Sequence, residues 1–183
     1  MGNWKGVIKK IWTPAEFVLY CKGMTLGFHP QFVVLHNTSE PSLAQWPSTP
    51  WDKRVDNLVD YYKGQGWSAG PHLFIAPEGI IGFTPLTVTG VHSPSWNGIS
   101  WGVEMVGEYM TESCADGPGL KVYQNAVSAV ASLCILGNLD SSSIRFHRED
   151  PKTSHRECPG DHIVKTRFIS DVHVEIGRLR LKV

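Results

Sequence analysis

A chain of 183 residues with 42% apolar residues is long enough to bury a core as one domain, and that apolar share excludes a disordered segment. Seventeen Lys and Arg offset seventeen Asp and Glu, so neither a broad basic face for nucleic acid nor recruitment of partners by bulk charge is expected. Cys21, Cys114, Cys134 and Cys158 show no paired spacing, which points away from a disulfide framework and toward reduced thiols in a cytosolic protein.

In chain order, Lys5, Lys9 and Lys10 are followed by Pro14, Glu16 and Lys22, too polar a run for the apolar region of a signal peptide. No stretch reads as a membrane span, and Gly6 stands where a myristoylation site needs Ser or Thr. A cytoplasmic, soluble protein without membrane insertion is expected, with a monomer as the default. Thr13-Pro14-Ala15-Glu16 combines an N-cap, a proline at the first helical position and a capping glutamate, so a short helix should start there and end by Gly23 or Gly27. Gln31 to His36 is apolar and β-rich, a buried strand with His36 at its exit.

Val55, Leu58, Val59 and Tyr62 recur at helical spacing within a predicted helix from Trp51 to Lys63, stopped by Gly64 and Gly66. Pro71 to Ala76 and Ile80 to Phe83 flank Pro77-Glu78-Gly79 as a hairpin. Thr84 to Asn97 reads as a loop and a candidate cleft wall, and Ile99 to Val106 returns to strand character with Glu104 inside it. Leu120 to Asn138 is a long core helix with Gly137-Asn138 as its stop. Ser143 to His147 forms another strand, and Asp161 is placed to cap a last helix with Ile163, Val164, Phe168, Val172 and Ile176 as its buried stripe. The expected architecture is one α/β domain over residues 1–183, with an N-terminal helical extension over 1–30 and the chemistry-bearing residues at strand exits and in loops.

His36, His147 and Cys158 offer nitrogen and thiolate donors of the kind zinc prefers, at a spacing that matches no zinc finger. Three ligands suit a catalytic ion that keeps a position for water; a structural site would need a fourth, from Asp161 or His155. Read singly, His36 fits a satisfied core histidine, Cys158 a small buried hydrophobe and Glu104 a solvent-facing strand residue. Yet Cys158 lies in the polar turn Glu157-Cys158-Pro159-Gly160, and an acid in an apolar strand needs a partner or a task.

VVLHN at Val33 to Asn37, SAGPHLFI at Ser68 to Ile75, WGVEMVG at Trp101 to Gly107, and HRED with CPG between His147 and Gly160 together resemble the type 2 N-acetylmuramoyl-L-alanine amidases. That family includes phage endolysins, cytoplasmic anhydromuropeptide amidases and animal peptidoglycan recognition proteins. The likeness covers about residues 31–162 and implies a central mixed β-sheet flanked by helices, with Zn2+ on His36, His147 and Cys158 at the floor of a peptidoglycan groove. The implied reaction is hydrolysis of the amide between N-acetylmuramic acid and L-alanine, with peptidoglycan or muropeptide as partner and Glu104 as general base. Pro71 stands where other members carry a tyrosine before the second-motif histidine, and Arg156 where catalytic members often carry lysine, so Arg156 is expected to act electrostatically. Lys152 and His155 share its loop. His72, His92, Trp96 and Asn97 are candidate substrate contacts, with His72 alternatively packed under the zinc site or hydrogen-bonded to one of its ligands, whereas His29, His162 and His173 are expected at the surface. Two alternatives are a peptidoglycan-binding module without catalysis and a cytoplasmic muropeptide-recycling enzyme. An endolysin without a signal peptide would reach the wall through a separate pore.

Overall fold

The computed structural model describes residues 4–181. Among them six strands, β1 (Lys10–Trp12), β2 (Phe32–Asn37), β3 (Leu73–Ala76), β4 (Gly79–Gly82), β5 (Ser100–Met105) and β6 (Arg145–Phe146), form one mixed sheet. Its order is β1-β4-β3-β5-β2-β6. The β1, β4 and β3 strands pair antiparallel, while β3, β5, β2 and β6 pair parallel. Four helices flank the sheet: α1 (Pro14–Cys21), α2 (Trp51–Gly64), α3 (Gly117–Gly137) and α4 (Lys165–Arg180).

Local chemistry fixes most of these boundaries. The Thr13 hydroxyl accepts from the Glu16 N–H at 3.3 Å and the Glu16 carboxylate accepts from the Thr13 N–H at 2.8 Å, which closes a capping box and starts α1 at Pro14. Asn138 adopts the left-handed conformation and terminates α3. Side chains then sort by strand alternation: Val33, Leu35, Leu73, Ile75, Trp101, Val103 and Met105 pack on one face under α1, α3 and α4. Fully burying each large apolar side chain contributes roughly 1.5–3 kcal/mol. On the opposite face Phe74, Ala76 and Val106 meet Val55 and Tyr62 of α2. The same parity puts His36, His72, Gly102 and Glu104 on that second face.

Four elements differ from the expectation. Strand β1 is too short to leave a periodic signal and forms by pairing with the edge of β4. The strand expected over 143–147 shrinks to Arg145–Phe146, because the Glu149 carboxylate reaches back to the Phe146 N–H at 2.5 Å and turns the chain at His147. Helix α4 begins at Lys165, not at Asp161, whose carboxylate instead accepts from Arg148 Nη1 at 2.6 Å. Val164 therefore sits ahead of the helix and is 54% exposed, while Ile163, Phe168, Val172 and Ile176 are buried. Helix α3 is, against the sequence reading, long and apolar enough by composition to cross a membrane. More than half of it is buried inside the domain, where Val122, Ala126, Val130 and Leu133 cover the sheet.

Candidate metal centre

Strands β2 and β6 lie side by side and parallel, and a histidine stands at each exit: His36 near the end of β2, His147 immediately after β6. Carboxyl ends of parallel strands open a crevice in which ligands commonly bind. The loop after His147 brings Cys158 back to the same place. Arg148 secures that return, since its backbone N–H and Nε donate to the Cys158 carbonyl at 3.1 and 3.2 Å. Gly160 follows at φ +104, and a Cβ there would lie 2.4 Å from the Tyr109 carbonyl carbon, so only glycine lets the loop close. As a result one donor atom from each of His36, His147 and Cys158 lies within 4.8 Å of the others.

The donors are prepared for a cation. Nε2 of His36 lies 3.1 Å from Nδ1 of His92, and Nε2 of His147 lies 2.9 Å from the Thr153 hydroxyl, so Nδ1 is the remaining nitrogen on both rings. Burial holds His36 well below the ordinary histidine value and pushes His147 down to about 4, which keeps both imidazoles neutral. The Cys158 thiol is pushed up to about 12 by burial, against the Asn37 N–H that donates to its sulfur at 3.4 Å. Two neutral imidazoles and a half-buried thiol fit a borderline-soft divalent cation, which would favour the thiolate.

This cluster borders a cavity of about 660 Å³. Glu104, level with His36 across the β2–β5 pair, lines it, and burial pushes that carboxyl up to about 8 although solvent still reaches part of the side chain. A second recess of about 510 Å³, walled by Trp46, Arg54 and Asn57, shares Thr38, Glu104, Tyr61 and Tyr62 with the first.

The other expected site residues divide. Arg156 lines the cavity with its guanidinium 3.5 Å from the Asp150 and Pro151 carbonyls, and His155 lines it while stacking on His147 at 5.4 Å. Lys152 does not reach the cavity. His72 is fully buried; its Nδ1 accepts from the Gly102 N–H and its Nε2 donates to the Val88 carbonyl, each at 3.0 Å, so both nitrogens are engaged and none is left for substrate. Trp96 packs edge-on against Phe32 at 5.3 Å, and Asn97 accepts at Oδ1 from the His92 and Ser93 N–H groups at 2.7 Å. Neither lines the cavity, because the loop over 84–97 folds onto the sheet and reaches the cavity through Val91 and His92 alone. His29, His162 and His173 are exposed, as expected.

Two features escaped the sequence reading. Asp150 is wholly shielded from solvent and accepts from Ser93 Oγ at 2.5 Å, Ser95 Oγ at 2.6 Å, the Lys152 N–H at 2.8 Å and the Ser95 N–H at 2.9 Å. Burial alone would raise its carboxyl, but these bonds outweigh it and hold it down to about 2. Asp150 thereby ties the His92 loop to the His147 loop. The second feature is an aromatic wall of Tyr61, Tyr62 and Trp67, of which Tyr61 is 58% and Trp67 42% exposed. Tyr61 falls off the apolar stripe of α2, and that displacement was its available signal.

A mixed sheet that gathers two histidines and a cysteine at the mouths of adjacent parallel strands defines an α/β domain with an open centre suited to one metal ion. The chain belongs to the N-acetylmuramoyl-L-alanine amidase family, whose model matches residues 27–161. Among solved structures it is similar to the N-acetylmuramoyl-L-alanine amidase LysC from Clostridium intestinale URNW, at 19% identity and a TM-score of 0.65 over 83% of this chain and 91% of that one. It is also similar to Drosophila PGRP-LB, at 21% identity and a TM-score of 0.62 over 90% and 95% of the two chains. The catalytic domain of XlyA follows at 21% identity and a TM-score of 0.57, over 79% and 87%. No curated protein sequence matches the chain.

Proposed function

We propose that this protein is a zinc-dependent hydrolase of the amide that joins the lactyl group of N-acetylmuramic acid to L-alanine, acting as a phage or prophage endolysin. The observation that carries the reading is the meeting of His36, His147 and Cys158 within 4.8 Å beside Glu104 on a cavity of about 660 Å³. Family membership supports the reaction class. His36, His147 and Cys158 would hold the zinc, which when bound would supply Lewis acidity toward the scissile carbonyl and the attacking water.

The remaining chemistry belongs to the side chains. The Glu104 carboxylate takes a proton from the water whose oxygen attacks the lactyl carbonyl carbon, and returns it to the alanine nitrogen as the C–N bond breaks. A carboxyl poised near neutrality by burial suits both transfers. Arg156, permanently charged at the cavity wall, stabilises the oxyanion without exchanging a proton. Tyr61 and Trp67 offer flat apolar faces to the glycan.

The test is digestion of intact peptidoglycan with and without a zinc chelator, scoring new alanine amines and new reducing ends. Alanine amines without reducing ends, abolished by chelation and restored by zinc, are expected. Sedimentation with peptidoglycan and no new amines would leave a binding module. Faster release from soluble muropeptides than from intact wall would replace the endolysin role with recycling.

A further inference from the structure

His92 lies beside His36 at the cavity wall, and its ring is held by several neighbours. Its Nδ1 is 3.1 Å from Nε2 of His36, and its ring lies over β5 where Gly102 has no side chain. A Cβ at Gly102 would fall 2.4 Å from Cγ of His92. His72 flanks the ring at 5.8 Å between centroids. The loop that carries it is tied at Asn97, through the His92 N–H, and at Asp150, through Ser93 and Ser95.

A contact between two neutral imidazole nitrogens holds one proton, so two arrangements exist. With the proton on Nδ1 of His92, Nε2 of His36 is the acceptor and the His36 proton moves to Nδ1, the nitrogen that would have to bind metal. With the proton on Nε2 of His36, Nδ1 keeps its lone pair for metal, and His92 carries its own proton on Nε2. That second nitrogen of His92 is buried without a hydrogen-bond partner among the described residues. Only the second arrangement leaves His36 a nitrogen lone pair for the cluster it forms with His147 and Cys158. Sequence reasoning placed His92 against substrate, and it does line the cavity; its contact with His36 gives it a second task.

We infer that His92 is a positioning residue that fixes the His36 tautomer, with His36 Nε2–H donating to His92 Nδ1, and so presents His36 Nδ1 to the metal before the metal arrives. This rests on the metal reading above. Outer partners of metal-bound histidines typically change metal affinity about 10- to 100-fold when removed.

The experiment compares the unaltered protein with His92→Phe, which keeps ring bulk but has no acceptor, and His92→Asn, whose Oδ1 can stand where Nδ1 stood. Nitrogen-15 spectra of the metal-free proteins read the His36 tautomer, competition with a chromophoric chelator reads zinc affinity, and circular dichroism reads folding. Expected are a proton on Nε2 of His36 in the unaltered protein, a roughly 10- to 100-fold loss of zinc affinity in His92→Phe, and recovery to within about threefold in His92→Asn. A proton on Nδ1 of His36 in the unaltered protein, or undiminished affinity in His92→Phe, would overturn the inference. Should His92→Phe not fold, the unaltered tautomer and the affinity of His92→Asn decide. If the unaltered protein takes up no zinc, the metal reading fails, and the tautomer spectrum still judges His92 by itself.

Discussion

Replacing Glu104 by Gln separates what this carboxyl does to stability from what it does to turnover. In the metal-free protein burial pushes Glu104 up to about 8, so between the ordinary glutamate value of about 4.3 and that point the folded state binds more protons than the unfolded state. Stability therefore falls as pH rises across that window and levels off above it. Each tenfold change in proton affinity is worth about 1.4 kcal/mol, giving an upper limit of about 5 kcal/mol. Solvent reaches part of the side chain, which reduces the expected effect to roughly 2–3 kcal/mol. Gln cannot ionise, so Glu104→Gln should match the parent near pH 4.5 and exceed it by that amount at pH 9, about 5–10 °C in Tm for a chain of this size. Urea unfolding in chelator at pH 4.5, 7 and 9 measures the difference, in which the titrations of groups not coupled to Glu104 cancel. In the zinc form the same variant should keep its metal and lose about 10²- to 10⁴-fold in turnover. Equal stability at pH 9 would refute the buried-acid reasoning, and full turnover would refute the general-base role.

Cys158→Ala and His36→Ala should each lose zinc, measured by metal analysis after dialysis, together with amidase activity. Arg156→Ala should lower turnover by about tenfold or more with zinc content unchanged, read from peptidoglycan digestion beside metal analysis. Asp150→Ala should destabilise the protein at pH 7 by about 2–4 kcal/mol in urea unfolding, because four donors lose a buried acceptor. Its carboxyl is held down to about 2, so the stabilisation is complete above the ordinary aspartate value and is lost as pH falls through about 2; the gap between parent and variant should close accordingly.

Elements governed by neighbours in sequence were legible. The capping box at Thr13 and Glu16, the stop at Asn138 and the alternation of Trp101, Val103 and Met105 are local facts, and each appears where the residues imply. The meeting of His36, His147 and Cys158 was legible because these residues stand where apolar runs give way to polar turns. What remained hidden depends on residues distant in the chain. Strand β1 exists through β4, and Asp161 is drawn from a helix start by Arg148. His72 and His92 have side-chain types that suit a binding site, and only the structure separates them: His72 is buried with both nitrogens engaged, whereas His92 lines the cavity while touching His36. Asp150 looked like one more acid in a charged loop, since its partners Ser93 and Ser95 lie fifty-odd residues earlier.

The cluster is assembled from residues 36, 147 and 158, carried by two strands and a returning loop. No contiguous segment contains enough of it to hold an ion, so an unfolded or half-folded chain offers a metal little more than scattered side chains. Zinc would then act as a mass-action ligand of the native state alone, adding about 2.7 kcal/mol when free zinc is a hundred times its dissociation constant. Thermal midpoint and protease resistance would track the free zinc concentration, making metal supply a determinant of how long the folded protein survives.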